Sequence, residues 1–212
     1  MVKLFINLAK LFTFLCLFQG RYAAYLRFRG LIMRFLADNG IYDPNEIALL
    51  KKFVSKGDSV VDAGAHLGVY TKHLLSLVGV AGTVYAFEPQ TDLATILEQE
   101  FKIHPAFRLL KKGLSDCHER VPMRLPKLFG ILPEAALANV TENRIQSNFK
   151  NRVDSIELVT LDAQVPIGVR ISFIKADVEG NEIALIRGAQ RVIRDSAPVI
   201  QVEINDLSTS WQ

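Results

Sequence analysis

Short apolar runs alternate with amphipathic stretches along most of the chain. Ser59–Asp62, Thr83–Glu88 and Phe107–Lys112 read as strands: they are brief, rich in β-branched or aromatic residues, and flanked by Gly, Pro or charged positions. Helical periodicity fills the intervals at about 68–78 and 91–102. The scheme returns later, with strands at Ser172–Asp177 and Val199–Ile204 around a helix at about 182–194. Strand and helix in strict alternation specify an α/β fold, a mostly parallel sheet covered on both faces. Residues 1–38 read as one long or two shorter helices, stopped at Asp38-Asn39-Gly40. A further helix runs from Asp43 to about Ser55, with Asp43 as N-cap, Pro44 at the first helical position and Glu46 three residues past the cap. Residues 113–166 break the alternation. They hold strands near 120–125 and 155–160 and a short helix near 134–145, an excursion expected to serve as a lid or substrate wall.

Composition sharpens this picture in three places. With 212 residues, half of them hydrophobic and 22% charged, the chain is globular and long enough for a full core. The net charge of +3 is small but unevenly placed: Lys3, Lys10, Arg21, Arg27, Arg29 and Arg34 precede the first acid, Asp38. Residues 1–40 are therefore set apart as a basic amphipathic segment, and 41–212 form the main domain. The apolar start is shorter than a spanning helix needs and lacks a cleavage signal. It is open to three readings: a helix packed on the domain, a helix in a membrane interface, or a signal anchor or signal peptide. Cys16 and Cys117 have neither metal-ligand nor disulfide spacing, which places the chain in a reducing, cytoplasmic setting, with membrane association through residues 1–38 as the second option.

The candidate chemistry lies at strand ends. The first strand runs into Asp62-Ala63-Gly64-Ala65-His66-Leu67-Gly68-Val69-Tyr70, a side-chain-poor turn at a helix N-terminus. Glu88 ends the second strand, where a carboxylate accepts hydrogen bonds from ribose hydroxyls, and Asp177 ends the strand after the excursion. A dinucleotide turn has Gly-x-Gly-x-x-Gly. Here the glycines are four apart, and Asp62 would repel a pyrophosphate while attracting a cation. An amino-acid-bearing sulfonium nucleoside satisfies both conditions.

Asp62-Ala63-Gly64-Ala65-His66-Leu67-Gly68 followed by Tyr85-Ala86-Phe87-Glu88-Pro89 resembles the first two motifs of class I S-adenosylmethionine-dependent methyltransferases. The segment Phe173–Glu182, with Asp177-Val178-Glu179-Gly180 at its centre, resembles the FkbM family more narrowly. So do Leu185-Ile186-Arg187-Gly188-Ala189, Pro198–Ile204, Tyr42–Glu46 and Val159–Asp162. The resemblance implies a Rossmann-like, three-layer class I methyltransferase core with S-adenosylmethionine across the first two strand ends. It implies O-methylation of a small molecule or glycan. Asp62, Gly64 and Gly68 would turn around the methionine part, with His66 and Tyr70 in the same motif. Glu88 and Pro89 would hold the ribose, Ser115 and Asp116 would flank the adenine, and Asp177 and Glu179 would face the methyl group and acceptor, Asp177 as base. No metal is assigned. His66 stands where the family often has Asn or Gly, either as a ligand contact, a base, or a neutral residue with a structural hydrogen bond. The family's closing helix and antiparallel strand pair are not seen before Gln212, so a second copy or a partner is expected over that sheet edge. Two alternatives stay open: a degenerate, membrane-associated binding subunit, and a nicotinamide-dependent oxidoreductase. Nucleic acid is excluded as a partner at this stage, because no Asn/Asp-Pro-Pro-aromatic motif follows the fourth strand and the basic residues form no broad patch.

Overall fold

The computed structural model describes residues 22–125, 127–128, 132–133 and 152–203. The expected helix over the first 18 residues and the short one near 134–145 lie outside these residues. Helix α1 (Tyr22–Asp38) and helix α2 (Pro44–Phe53) lead into strand β1 (Ser59–Ala63). Helix α3 (Val69–Val78), strand β2 (Thr83–Phe87), helix α4 (Thr91–Phe101) and strand β3 (Phe107–Leu110) follow in the expected alternation. The excursion contains β4 (Gly113–Leu114), β5 (Glu119–Leu125), the short pair β6 (Lys127–Leu128) and β7 (Leu132–Pro133), and β8 (Arg152–Val159). Helix α5 (Leu161–Gln164), strand β9 (Ile171–Ala176), helices α6 (Glu182–Arg187) and α7 (Gln190–Ser196), and strand β10 (Val199–Val202) return the chain to the sheet.

The main sheet is five-stranded and parallel, in the order β10-β9-β1-β2-β3. Successive crossovers run one way from β1 to β3 and the other way from β9 to β10. The strand order therefore reverses between β1 and β9, and a crevice opens at their carboxyl ends, where open α/β sheets bind ligands. Neighbouring residues along β1 face opposite layers: Val60 packs with Leu50, Leu74 and Leu97, and Val61 with Leu161, Leu185 and Val192. Both layers are closed, which explains the near-continuous apolar runs of the sheet strands.

Residues 113–166 hold a second, three-stranded sheet in the order β4-β8-β5, with β8 antiparallel to β5. The helix expected at 182–194 is two helices, broken at Gly188. A Cβ there would stand 1.9 Å from the Ser115 carbonyl oxygen, so the chain passes too closely for an unbroken helix bearing side chains. Asp162 then caps the second piece from outside, accepting hydrogen bonds from the backbone N–H groups of Arg191 (2.7 Å) and Val192 (2.9 Å). Among the described residues, no helix is long and apolar enough to cross a membrane.

Candidate active site

The turn after β1 is built by close approach. Gly64 has φ +81°, and a Cβ on it would meet the Asp177 carbonyl oxygen at 1.8 Å. Only glycine lets the ends of β1 and β9 come together there. The N–H groups of Gly64 and Ala65 both donate to the Phe87 carbonyl (3.0 Å each), which ties the turn to the end of β2. Gly68 precedes α3 at φ +76°, and a Cβ there would strike the Phe101 ring at 2.5 Å. It seats the turn on α4. Asp62 lies behind the turn, fully buried, where Oδ2 accepts from Thr71 Oγ1 (2.5 Å) and Oδ1 has no partner among the described residues. Desolvation raises its pKa, with Lys175 nearby opposing the shift.

Glu88 occupies the next strand end and is buried. Its Oε2 accepts from the His66 N–H (2.8 Å) and its Oε1 from the Gln90 N–H (2.9 Å). Burial pushes the carboxyl up to about 7 despite these two donors. His66 itself adopts φ 49°, and its Nε2 is buried without a partner among the described residues. Burial, then the charge of Arg29, lowers its pKa to about 4, so the imidazole is neutral near pH 7. The structural hydrogen bond that a neutral histidine would make through Nε2 is absent among the described residues.

These groups open into one cavity of about 270 Å³. Gly64, His66, Tyr70, Glu88, Pro89, Asp177 and Glu179 line it, which brings most of the sequence-derived site together. Asp62 and Gly68 support the turn from behind. Ser115 and Asp116 do not reach the cavity. Strand β4 pairs with β8 at Gly113–Leu114 and carries the chain past, so Lys112, Gly113 and Leu114 line this side instead. Ser115 is buried against Val159, and Asp116 is exposed. Met123, Ile156 and Leu158 of the second sheet add an apolar wall.

The remaining wall is acidic, and Asp43 and Glu46, read from the sequence as helix-capping residues, belong to it. Asp43 and Glu46 do not form a capping box: Asp43 sits at φ 44° with no side-chain cap. Both side chains instead meet the hydroxyl of Tyr70, at 3.0 Å for Asp43. Lys175 is buried, pairs with Asp177 Oδ2 (2.8 Å) and lies 4.1 Å from the centre of the Tyr70 ring. Asp177 caps no helix; Asn181 precedes α6 and donates to the Leu114 carbonyl (2.7 Å), while Glu182 accepts from the Val178 and Gly180 N–H groups (3.1 Å each). Glu203, beside Asp177, is pushed up to about 7 by desolvation and by their shared hydrogen bond. Burial and the same carboxylate raise Glu179. Helix α1 contributes Arg29 and Met33, one helical turn apart.

Such a lining suits a cationic nucleoside. Carboxylates of Asp43, Glu46, Asp177, Glu179 and Glu203 line the cavity, Glu88 offers oxygens to a ribose, and two buried polar atoms, Asp62 Oδ1 and His66 Nε2, have no partner among the described residues. A pyrophosphate would meet repulsion on nearly every side.

Among known proteins, the ribosomal RNA small subunit methyltransferase A of Dehalococcoides mccartyi is 37% identical over 86 residues, covering 41% of this chain and 28% of that protein. The chain thus matches well under a third of that relative's length. The solved FkbM methyltransferase of Methylobacillus flagellatus KT is 16% identical and superposes with a TM-score of 0.47 over 90% of this chain and 47% of that one. A S-adenosylmethionine-dependent methyltransferase from Aquifex aeolicus is 16% identical, with a TM-score of 0.42 over 80% of this chain and 70% of that one. The relative named for ribosomal RNA overturns the exclusion of nucleic acid made from the sequence: the absence of one base-binding motif was too narrow a criterion for an acceptor class. For a chain with a methyltransferase FkbM domain the implied cofactor is S-adenosylmethionine. The model of the methyltransferase FkbM domain matches residues 62–212, from the acid of the β1 turn onward, and the chain belongs to that family.

Proposed function

We propose that the chain methylates a hydroxyl oxygen of a small molecule or glycan, with the cavity at the ends of β1, β2 and β9 as the site of transfer. The observation that carries this reading is the juxtaposition of Glu88 and Asp177 on one cavity, joined through a Gly64 turn that admits no side chain. Bound S-adenosylmethionine supplies a methyl group on a sulfonium, which leaves without acid assistance.

The protein's own contribution is placement and proton removal. Glu88 and the turn fix the nucleoside, and alignment of reacting groups is worth several kcal/mol, on the order of 7 or more where the fit is close. A hydroxyl acceptor must lose its proton as the new bond forms. Asp177 is the base in this reading, held by Lys175 at 2.8 Å so that its carboxylate stays at the mouth of β9. Glu203 is exposed, bonded to Asp177 and poised near neutrality, which suits it to pass that proton to water. Glu179 flanks the pair as the second acid.

Asp177→Asn is expected to cut turnover about 10²–10⁴-fold, the usual contribution of a positioned base, while cofactor affinity changes little. Transfer of labelled methyl from S-adenosylmethionine to hydroxylated metabolites, glycans and ribosomal RNA, together with calorimetry for S-adenosylhomocysteine, measures both. Undiminished turnover in the variant would remove Asp177 as the base. Label found only on RNA would favour a second reading, RNA methylation, which the 86-residue match to an rRNA methyltransferase supports.

A further inference from the structure

The cavity is not uniformly acidic, and its exception is instructive. Two cations line it. Lys112 is occupied, with Nζ 3.0 Å from Glu157. Arg29 makes no hydrogen bond or ion pair with any described residue, although it lies in a cavity rich in carboxylates. Deeper in, Lys175 is committed to Asp177, and Arg34 of the same helix is committed to the Leu67 carbonyl and Glu100. Among the described residues Arg29 therefore stands as an unspent guanidinium. The neighbouring Nε2 of His66 is a second unspent group: it is buried, unpartnered among the described residues and on the same cavity. In the tautomer with its proton on Nε2, a neutral imidazole donates one hydrogen bond.

A purely cationic ligand would satisfy the carboxylates and be repelled by Arg29. An anion would do the reverse. A zwitterion satisfies both, and the amino-acid end of a sulfonium nucleoside is one: α-ammonium and sulfonium for the acids, α-carboxylate for the guanidinium. We infer that Arg29, with His66 Nε2 beside it, binds the α-carboxylate of the cofactor, so that helix α1 completes the cofactor site. This rests on the reading of the cavity as the S-adenosylmethionine site. The assignment also gives α1 a reason to be anchored where it is. Arg34 Nη1 donates 2.7 Å to the Leu67 carbonyl, fixing the helix directly on the turn that carries His66. A guanidinium matches a carboxylate in a two-point fork, which a lysine ammonium does not reproduce.

The test is calorimetry on the full chain with two ligands that share the nucleoside thioether. S-adenosylhomocysteine carries the amino-acid end and 5′-methylthioadenosine lacks it. Arg29→Gln is expected to weaken S-adenosylhomocysteine about 10- to 100-fold, the range for losing a charge-assisted hydrogen bond, and to leave 5′-methylthioadenosine within about twofold. Arg29→Lys should recover part of the loss, and His66→Asn should show a smaller loss with the same ligand preference. Equal weakening of both ligands would show a structural role and overturn the inference. So would unchanged affinity for S-adenosylhomocysteine, or a rise confined to the acceptor KM, which would place Arg29 on the acceptor side. If the wild-type chain binds neither ligand, the cofactor-site reading itself falls and takes the inference with it; the wild-type arm alone reveals that case.

Discussion

Gly64 is the residue at which sequence, fold and site meet most tightly. A β-carbon there would lie 1.8 Å from the Asp177 carbonyl oxygen, and the backbone is already left-handed at φ +81°. Gly64→Ala must therefore both strain the turn and force β1 and β9 apart at the crevice. A loss of about 3 kcal/mol or more in urea unfolding is expected, with cofactor affinity falling alongside; a variant of wild-type stability would mean that the strand ends are not held this closely. Gly64, Asp62, Glu88 and Asp177 were legible in the sequence because each closes an apolar run, so local pattern alone marks it. Arg29 and the Tyr70 pairing with Asp43 and Glu46 were not. The Tyr70–Glu46 contact joins residues 24 positions apart, and no local periodicity encodes which helix N-terminus will face which turn. The same applies to Asp43, whose sequence context predicts a helix cap and whose side chain serves the cavity instead.

At the level of elements, α1 matters more than its basic, amphipathic sequence suggests. Arg34 is buried, donates 2.7 Å to the Leu67 carbonyl, pairs with Glu100 at 3.1 Å and stacks 5.7 Å from the Phe101 ring centre. One side chain thus joins α1, the β1 turn and α4. Gly30, a turn earlier in the helix, leaves room for that guanidinium: a Cβ would stand 3.0 Å from Arg34 Nη1, whereas Leu67 at 3.5 Å would be in ordinary contact. Arg34→Met keeps the apolar stem and removes the donor, leaving the Leu67 carbonyl unsatisfied. Because Glu100 is half-exposed, the ion pair adds little, and the expected cost is about 1–3 kcal/mol from the lost hydrogen bond. Hydrogen exchange should show α1 amides losing protection before those of β1; uniform loss across both would reject the anchoring role. The sheet strands and most helices followed from periodicity because both faces of the sheet are covered and the apolar runs are long enough to read. The break at Gly188 did not, since it depends on Ser115, far off in the chain.

Across the whole molecule, buried titratable groups set opposing pH dependences. Glu88 is raised from the ordinary 4.5 to about 7, so the folded state holds its proton longer than the unfolded state does. Its contribution to stability is fully present below pH 4.5 and is lost as pH rises through 7. His66 is lowered from 6.5 to about 4, so the unfolded state takes up a proton first as pH falls. Its contribution is present above pH 6.5 and is lost as pH drops through 4. Each shift corresponds to roughly 3 kcal/mol at most, and in the window between about pH 4.5 and 6.5 the two slopes oppose one another. Asp62, Glu179 and Glu203 add to the Glu88 direction and His73 to that of His66. The ligand-free wild-type chain should consequently lose stability as pH rises across that window, because four raised acids outweigh two lowered histidines. Single substitutions should unmask the components. Glu88→Gln keeps one acceptor for the turn and should make stability fall less steeply from pH 4.5 to 7 than in the wild type. His66→Asn suits the left-handed φ of 49° and should leave stability falling from pH 4.5 to 7. Urea midpoints measured at half-unit pH steps decide this: parallel profiles for the two variants would show that neither group titrates as its buried position requires. A shallower fall for Glu88→Gln together with a steeper one for His66→Asn would show that the cavity holds a carboxylic acid and a neutral imidazole before any ligand enters.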